Sequence, residues 1–238
     1  MAKVYIVGAG PGAPDLITVR GRELLMKAEV LIYAGSLVNP VLVEESPAKE
    51  KYDSHGMKLE EMVRIMADAA LSGKTVVRLH SGDPSLYGAI VEQVALLENA
   101  GVAAERIPGV SSMFAAAAAL DTQLTLRGVS ESVIVTRPAG ETLMSDKIPE
   151  LSRSGETMVI FLGTALIDDV LAKVEVPPET PAAVVYRASW DDEKVIKGTV
   201  SDLAVKVHDA GIENTALIII GRIVDACGSG FEHSVLYG

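Results

Sequence analysis

The segments SGDPSLYG, residues Ser81–Gly88, and PGVSS, residues Pro108–Ser112, decide how this chain folds. Each follows a short run typical of a β-strand, KTVVRLH or VAAERI, and each precedes an apolar stretch with helical character. Tight loops at the carboxyl ends of neighbouring strands are where open α/β sheets bind small ligands. The two segments therefore predict an α/β fold with a ligand site built from these loops.

Strand-like and helix-like segments alternate on both sides of these loops, which is typical of sheets flanked by helices. The alternation lapses between Asp121 and Glu131 and then restarts with SVIVTR. The later runs AAVVYRAS and KVIKGTV, separated by the polar turn WDDE, predict a β-hairpin. We therefore predict two α/β domains, residues 1–121 and 122–238, each with a mostly parallel or mixed sheet flanked by helices and with the active site in the cleft between them.

Composition excludes several classes of protein. The chain has 238 residues, 49% of them hydrophobic, and a net charge of −11, which argues against a nucleic-acid binder. Its single cysteine, Cys227, and four scattered histidines form no cluster with recognised metal-ligand spacing, so we expect no metal. No apolar run is long enough to cross a membrane, and MAKVYIVGAG reads as a first strand rather than a signal peptide. We predict a cytoplasmic protein with neither nucleic acid nor membrane as a partner.

The acidic charge gives no general attraction for an anionic substrate, so a polycarboxylate ligand would need local cations. Five arginines near predicted strand ends or loops are candidates, although any one of them can equally be an ordinary surface charge: Arg20, Arg78, Arg127, Arg137 and Arg187.

The amino-terminal segment GAGPGA, Gly8 to Ala13, fits a dinucleotide-binding fingerprint and makes an oxidoreductase a rival interpretation. Two features count against it. Pro14 and Asp15 delay the next helix until about Thr18, whereas the fingerprint helix begins within the glycine turn. The second strand, VLIY, is followed by Ala34 and Gly35 and lacks the carboxylate that binds a ribose hydroxyl.

The two central loops contain residues suited to close ligand contact. Gly82 permits close backbone approach, and Pro84 stiffens the turn. Asp83 can accept a hydrogen bond from a ligand or, equally well, from the backbone of its own turn. Ser111 and Ser112 fall at the start of a predicted helix, where free N–H groups suit a carboxylate or ribose oxygens, although they can also be simple helix caps.

Together with VYIVGAGPGAPDLIT, these loops resemble the tetrapyrrole methylases, which transfer a methyl group from S-adenosylmethionine to a porphyrin-like ring. The segment YAGSLVNP, Tyr33 to Pro40, is most similar to the precorrin-4 and cobalt-precorrin-4 methyltransferases of cobalamin synthesis. The resemblance implies methylation of carbon 11, a tetrapyrrole as the small-molecule partner, S-adenosylhomocysteine as a product, and a homodimer.

The resemblance also implies donor-binding residues in both halves of the chain. Those in the first half are Pro11, Ser81, Gly82, Asp83, Leu86, Ser111 and Ser112. Those in the second half, which can equally be core residues, are Leu162, Tyr186, Ala188 and Ala216. Leu162 replaces the methionine of an aromatic-Met-Gly element, so a sulfur contact is lost. We assign Arg127 and Arg137 to substrate carboxylates, and Glu141 replaces the second arginine of the similar loop T-R-x-x-G-R-T.

Alternatives stay open. Uroporphyrinogen-III methylases carry an acidic residue in Y-D-x-L-V, which YAGSLV lacks, but a methylase for another ring position remains possible from the sequence. A non-catalytic tetrapyrrole or nucleotide carrier is a second class. We identify no catalytic residue; His55, His80 and Tyr87 are weak candidates for a general base. The tail FEHSVLYG, with Phe231, Val235, Leu236 and Tyr237, can join a dimer contact or fold back on its own domain.

Overall fold

The computed structural model describes residues 2–140, 143–226 and 232. It divides into two compact units, Met1–Ser112 and Met113–Gly238. The division lies before the boundary after residue 121 that the sequence suggests, because the helix that begins the second unit belongs to that unit's core. Its residues Ala116 and Ala117 pack in one buried cluster with Val159 and Ile219 of the second sheet.

The first unit contains five strands and four α-helices, and a fifth helix begins at its last residue. The strands are β1 (Lys3–Gly8), β2 (Val30–Tyr33), β3 (Glu50–Asp53), β4 (Val76–His80) and β5 (Ala103–Ile107). The helices are α1 (Val19–Leu25), α2 (Pro40–Glu45), α3 (Leu59–Leu71), α4 (Ile90–Asn99) and α5 (Ser112–Ala119), the last of which crosses into the second unit.

The sheet of the first unit is parallel throughout, in the order β3-β2-β4-β1-β5. A parallel sheet is covered on both faces, so its inner strands are apolar on both sides. Val76 lies in the core under α3 and α4, while the alternate residues Val77 and Leu79 lie in the core on the opposite face. β1 therefore lies between β4 and β5, and the loops that follow these three strands leave the same edge.

The second unit contains strands β6 (Val133–Thr136), β7 (Thr157–Ile160), β8 (Pro181–Tyr186), β9 (Lys194–Thr199) and β10 (Ala216–Ile220), with helices α6 (Ile148–Ser152), α7 (Ile167–Lys173) and α8 (Leu203–Asp209). Its sheet is mixed, in the order β6-β7-β10-β8-β9: only β6 and β7 are parallel. The β8–β9 pair confirms the hairpin, and the two sheets with their helices confirm the α/β fold class.

Three elements were not predicted from the sequence: α2, β3 and α6. β3 is an edge strand of sequence EKYD, whose residues alternate between half-buried and exposed. α2 and α6 are short and each begins with a proline in its first turn. None of these three carries a long apolar run, so each reads as a loop.

Within the described residues, no helix is both long and apolar enough to cross a membrane. The same residues contain no group of three or more His, Cys, Asp or Glu side chains that could hold a metal ion. Cys227, Glu141 and the tail residues Phe231, Val235, Leu236 and Tyr237 lie outside the described part of the chain.

Candidate functional site

Three loops meet at the carboxyl edge of the first sheet, and two of them are held together by backbone hydrogen bonds. Ala9 N–H donates to His80 O at 2.7 Å, and Gly82 N–H donates to Gly10 O at 2.9 Å. A further bond runs from Gly10 N–H to Gly82 O at 3.3 Å. These hydrogen bonds therefore extend the pairing of β1 and β4 beyond the ends of the two strands, into the loops that follow them.

The third loop, after β5, packs against the other two through glycine. A Cβ atom added to Gly8 would lie 2.5 Å from Gly109 Cα and 2.7 Å from Gly82 O. A Cβ atom on Gly109 would be driven into Gly82 O. Such distances are too short for any side chain, so the three backbones can meet only because Gly8 and Gly109 are glycine. We call the contact of Gly8, Gly82 and Gly109 the glycine junction.

Asp83 fastens this junction from the side. Its Oδ2 accepts a hydrogen bond from Gly109 N at 2.8 Å, and its Oδ1 accepts from Ser85 N at 2.8 Å and from the Ser85 hydroxyl. Burial raises the pKa of Asp83, but these hydrogen bonds outweigh burial and hold its pKa below the ordinary value. The Asp83 carboxylate thus stabilises the turn of its own loop, which is the structural role that the sequence predicts for it. It also links the loop after β4 to the loop after β5.

Gly82 is buried and lies next to the start of α5. Gly82 has φ +62°, and a Cβ atom there would be in ordinary contact with Ser111 Cα and Ser112 N, both at 3.9 Å. Ser112 is the first residue of α5, and Ser111 is buried just before it. The N–H groups at a helix start suit a carboxylate or hydroxyl oxygen. The structure thus places the predicted Gly82, Ser111 and Ser112 next to one another.

The remaining predicted residues of the first unit lie in the same loops. Pro11 is buried in the loop after β1, and Ser81 is half-buried at the start of the loop after β4. Leu86 is also half-buried, and its N–H donates to Asp83 O at 3.2 Å. All seven first-unit residues therefore lie in the three loops at the carboxyl edge of the sheet.

His80 fills the inside of the loop after β4. Its Nδ1 lies 2.7 Å from Ser81 O, so this nitrogen carries the proton and donates to the carbonyl. Gly88 is close enough that a Cβ atom there would lie 2.8 Å from His80 Nε2. Burial lowers the pKa of His80, so the ring is neutral at pH 7. Of the other two weak base candidates, Tyr87 is exposed at φ +54° and His55 is exposed after β3.

The second-unit candidates gather at one edge of the second sheet. Tyr186, the last residue of β8, pairs with Ala216, the first residue of the antiparallel β10. Leu162 follows the end of β7, where Ile160 pairs with Ile218. Ala188 is buried two residues beyond β8. These four residues thus lie at one edge of the second sheet, and their part in a donor site stays a prediction.

This same edge carries left-handed backbone at residues other than glycine. Leu162 has φ +55°, Arg187 has φ +46° and Thr215 has φ +54°. Such conformations cost roughly 1–3 kcal/mol each and concentrate at functional sites. The Leu162 side chain is also 63% exposed, which is unusual for leucine, so the backbone strain presents an apolar group outward.

The two predicted substrate arginines lie at opposite ends of the second sheet. Arg137 follows β6, and Phe161 N–H donates to Thr136 O at 2.9 Å, which places Arg137 at the edge that carries Leu162. Arg127 precedes β6, and its Nε lies 3.1 Å from Glu232 Oε2. The structure therefore does not bring Arg127 together with Arg137 or with the donor candidates.

Sequence reasoning missed Gln93, a buried polar residue of α4 that supports the loop after β4. Its Nε2 donates to Gly88 O at 3.1 Å, next to the left-handed residues Tyr87 and Ala89. A glutamine on the otherwise apolar buried face of α4 is the signal that could have identified it.

The geometry of the loop after β1 also bears on the dinucleotide alternative. A short 3₁₀ turn, Pro14–Leu16, separates the glycines from α1, and Thr18 caps α1 by accepting from Gly21 N at 3.1 Å. The helix therefore begins after the glycine turn, as the sequence predicts, and its amino terminus is not formed by the fingerprint glycines.

Comparison with known proteins gives a consistent result. The family model described as Tetrapyrrole (Corrin/Porphyrin) Methylases matches residues 3–204. A cobalt-precorrin-4 C(11)-methyltransferase of Methanocaldococcus jannaschii is 52% identical over 99% of this chain and 92% of its own length.

Solved structures agree with these sequence matches. A cobalt precorrin-4 methyltransferase of cobalamin biosynthesis has a TM-score of 0.90 and 44% identity, with 94% of this chain and 96% of that chain covered. A uroporphyrin-III C-methyltransferase from Thermus thermophilus, complexed with S-adenosylhomocysteine, has a TM-score of 0.79 and 31% identity, with 94% and 99% of the two chains covered.

Proposed function

The chain belongs to the tetrapyrrole methylase family, and from this membership we propose that it transfers the methyl group of S-adenosylmethionine to carbon 11 of precorrin-4 or cobalt-precorrin-4, in cobalamin biosynthesis. The ring position rests on the resemblance of YAGSLVNP and on the C(11)-methyltransferase activity of the 52% identical relative. The structural observation that carries the proposal is the glycine junction, which places Gly82 next to Ser111 and Ser112 at the start of α5.

The proposed role of the three loops is to bind and orient the donor. When bound, S-adenosylmethionine supplies a methyl group that its sulfonium charge has already activated. Ser111 and Ser112 lie at a helix start, whose N–H groups suit a carboxylate or hydroxyl oxygen, and Gly82 lies next to them. Leu162, Tyr186, Ala188 and Ala216 complete the donor site in this proposal. Alignment of two reactants can lower a barrier by roughly 7–11 kcal/mol, so this reaction does not require a covalent nucleophile.

The reaction forms a bond between the ring carbon and the methyl carbon and breaks the bond between methyl and sulfur. The electron pair of the broken bond stays on sulfur, which gives S-adenosylhomocysteine, and the ring system then loses a proton. Arg137 is proposed to bind a substrate carboxylate, since it lies at the edge of the second sheet that carries the other candidates. Arg127 is the weaker assignment because Glu232 already neutralises it.

We further propose a cytoplasmic homodimer, as the family resemblance implies. The apolar residues of the carboxyl-terminal tail lie outside the described chain and add nothing to this proposal. Light scattering at micromolar concentration tests it: a mass near that of the 25.1 kDa monomer contradicts the dimer.

The decisive experiment supplies the protein with precorrin-4 or cobalt-precorrin-4 and S-adenosylmethionine that carries a ¹³C-labelled methyl group. Mass analysis reports whether one methyl group is transferred, and NMR of the product locates it on the ring. A label at a carbon other than 11 supports the runner-up, a tetrapyrrole methylase for another position.

A second measurement separates the remaining classes of protein. Ligand binding to the native state raises apparent stability by mass action. Stabilisation by S-adenosylhomocysteine and not by NAD or FAD supports a methylase, whereas stabilisation by NAD or FAD supports an oxidoreductase. A carrier would bind the tetrapyrrole without any methyl transfer.

A further inference from the structure

Arg78 is a buried charged residue in the middle of the first sheet. It is only 6% exposed, and it pairs across the sheet with Ile6 and Ile32. Its neighbour Val76, on the same face of β4, lies in the apolar core under α3 and α4. Charged side chains are almost never this buried unless they are paired.

The guanidinium group has few partners in the protein. Its Nη1 donates to Leu79 O at 3.1 Å, and its Nε is buried with no hydrogen-bond partner. No carboxylate of the described residues forms an ion pair with it; Asp53, at the end of β3, is the acid whose charge acts on it from farther away. A buried cation in this state is costly, and such a group in a native structure calls for an explanation.

The position of the guanidinium indicates where its partner would come from. The bond to Leu79 O directs the group toward the carboxyl edge of the sheet, three residues before the predicted donor residue Ser81. Its Nη2 forms no hydrogen bond with a described residue. Unlike Nε, it is not one of the atoms that are buried without a hydrogen-bond partner. This nitrogen is therefore the one that a ligand can approach.

The loop YAGSLVNP lies beside Asp53, the acid whose charge acts on Arg78. Gly35 in this loop has φ +51°, and a Cβ atom there would lie 3.1 Å from Asp53 Oδ1. Ser54 Oγ donates to Tyr33 O at 2.9 Å, so the ends of β2 and β3 are held together. Arg78 itself is the third residue before Ser81, in the strand that leads into the predicted donor loop.

We propose that Arg78 binds a carboxylate of a ligand in the methylase site, either the amino-acid carboxylate of the donor or a carboxylate side chain of the tetrapyrrole. A charge-assisted hydrogen bond to a carboxylate would give the guanidinium the anionic partner that the protein does not provide. Burial lowers the pKa of Arg78 to about 10, which still leaves the group protonated at neutral pH. The inference rests on the proposed function, because it assumes that both ligands bind here.

The test compares Arg78→Met with Arg64→Met, whose arginine is 67% exposed on α3. Methionine keeps an apolar stem of similar length and removes the charge. Replacement of a buried charge that has no partner by an apolar group is often neutral or stabilising. We expect the Tm of ligand-free Arg78→Met to equal or exceed that of the wild type.

Ligand binding should change in the opposite direction. We expect about a tenfold or greater rise in the Kd of S-adenosylhomocysteine, measured by calorimetry, or in the KM of precorrin-4. A change confined to the first constant assigns the carboxylate to the donor, and one confined to the second assigns it to the tetrapyrrole. Arg64→Met should leave the Tm and both constants within twofold or experimental error of the wild type.

Two results overturn the proposal. A clear fall in the Tm of ligand-free Arg78→Met means that the protein already stabilises the guanidinium beyond its bond to Leu79 O. Two binding constants within twofold of the wild type mean that no ligand carboxylate reaches it. Arg78→Lys, which keeps a positive charge, should retain part of the affinity if charge is the cause. If the wild-type protein itself fails to methylate precorrin-4, the proposed function fails, while the Tm and the calorimetry still report on Arg78.

Discussion

The two sheet edges that carry the candidate residues reach unusual backbone conformations by different means. At the glycine junction of the first edge, Gly8, Gly82 and Gly109 let three backbones meet and leave no room for a side chain at two of the three, although Tyr87 and Ala89 later in the loop after β4 are also left-handed. At the second edge, Leu162, Arg187 and Thr215 adopt left-handed backbone although they carry side chains. The junction therefore brings backbones together without a steric clash, whereas the second edge presents side chains at the expense of strain.

The largest effect should come from closing the glycine junction. Gly109→Ala would drive a methyl group into Gly82 O, and overpacking of this kind costs about 1–3 kcal/mol or more. Gly101→Ala is the matched control: its φ is +76°, yet nothing lies within 4 Å of the added Cβ. Urea unfolding should show a clearly greater loss of stability for Gly109→Ala. Equal losses would mean that the junction is not close-packed.

Gly82→Val sharpens the comparison, because its added Cβ would lie 3.9 Å from Ser111 Cα and Ser112 N without clashing with either. Its strain at φ +62° should cost about 1–2 kcal/mol of stability, as should Gly73→Val at φ +87°, where the added Cβ meets nothing within 4 Å. We expect only Gly82→Val to weaken S-adenosylhomocysteine binding, by about tenfold or more in calorimetry. Unchanged affinity would remove Gly82 from the donor site.

Leu162 tests whether strain at the second edge serves binding. Leu162→Gly relieves the left-handed backbone and should leave the free energy of unfolding unchanged or raise it by about 1 kcal/mol. If the exposed side chain contacts the donor, the same variant should lose several-fold affinity for S-adenosylhomocysteine, and Leu162→Met should keep it. Loss of stability in Leu162→Gly without loss of affinity would assign the side chain to packing alone.

The smallest effect concerns pH. Burial lowers the pKa of His80 in the folded protein. As pH falls below about 6.5, His80 therefore becomes protonated in the unfolded chain before it does so in the folded protein. Nearby Arg78 also lowers this pKa, while Asp83 raises it. The stability that His80 contributes is thus complete above pH 6.5 and declines as pH falls.

Urea unfolding of wild type and His80→Gln between pH 7 and pH 5 measures this effect. The wild type should lose more stability on acidification than the variant. Asp83 does not affect this measurement, because its pKa lies below its ordinary value. The stability that Asp83 contributes is lost only at a pH below the measured range. Parallel pH profiles would mean that His80 is not held in its neutral form.

The residue pattern predicts the loops at the edge of the first sheet, but it does not identify the candidate residues at the edge of the second sheet. Apolar strands followed by SGDPSLYG and PGVSS predict where the loops lie, since a parallel sheet brings such loops to one edge. The positions Leu162, Tyr186 and Ala216 came only from the family resemblance, because strands β7, β8 and β10 read as ordinary core segments.

Other features depend on three-dimensional placement that no local pattern encodes. β3 was missed because EKYD is a charged edge strand without an apolar run. Arg127 and Arg137 look equivalent in sequence, yet a strand separates them and places them at opposite ends of the sheet. The burial of Arg78 cannot be read from its neighbours, since a single charged residue within an apolar strand is equally compatible with solvent exposure.

The loop YAGSLVNP occupies a different position from the three loops of the glycine junction. It follows β2, on the far side of β4 from β1, and a side-chain hydrogen bond from Asn39 Nδ2 to Gly12 O at 3.0 Å joins it to the loop after β1. A substitution at Gly8 or Gly109 disturbs three backbones at once, whereas YAGSLVNP lies outside these three contacts. If the three loops bind the methyl donor and YAGSLVNP sets the ring position, as proposed, substrate choice can evolve separately from cofactor use: the specificity can drift in one loop while the donor site stays constant.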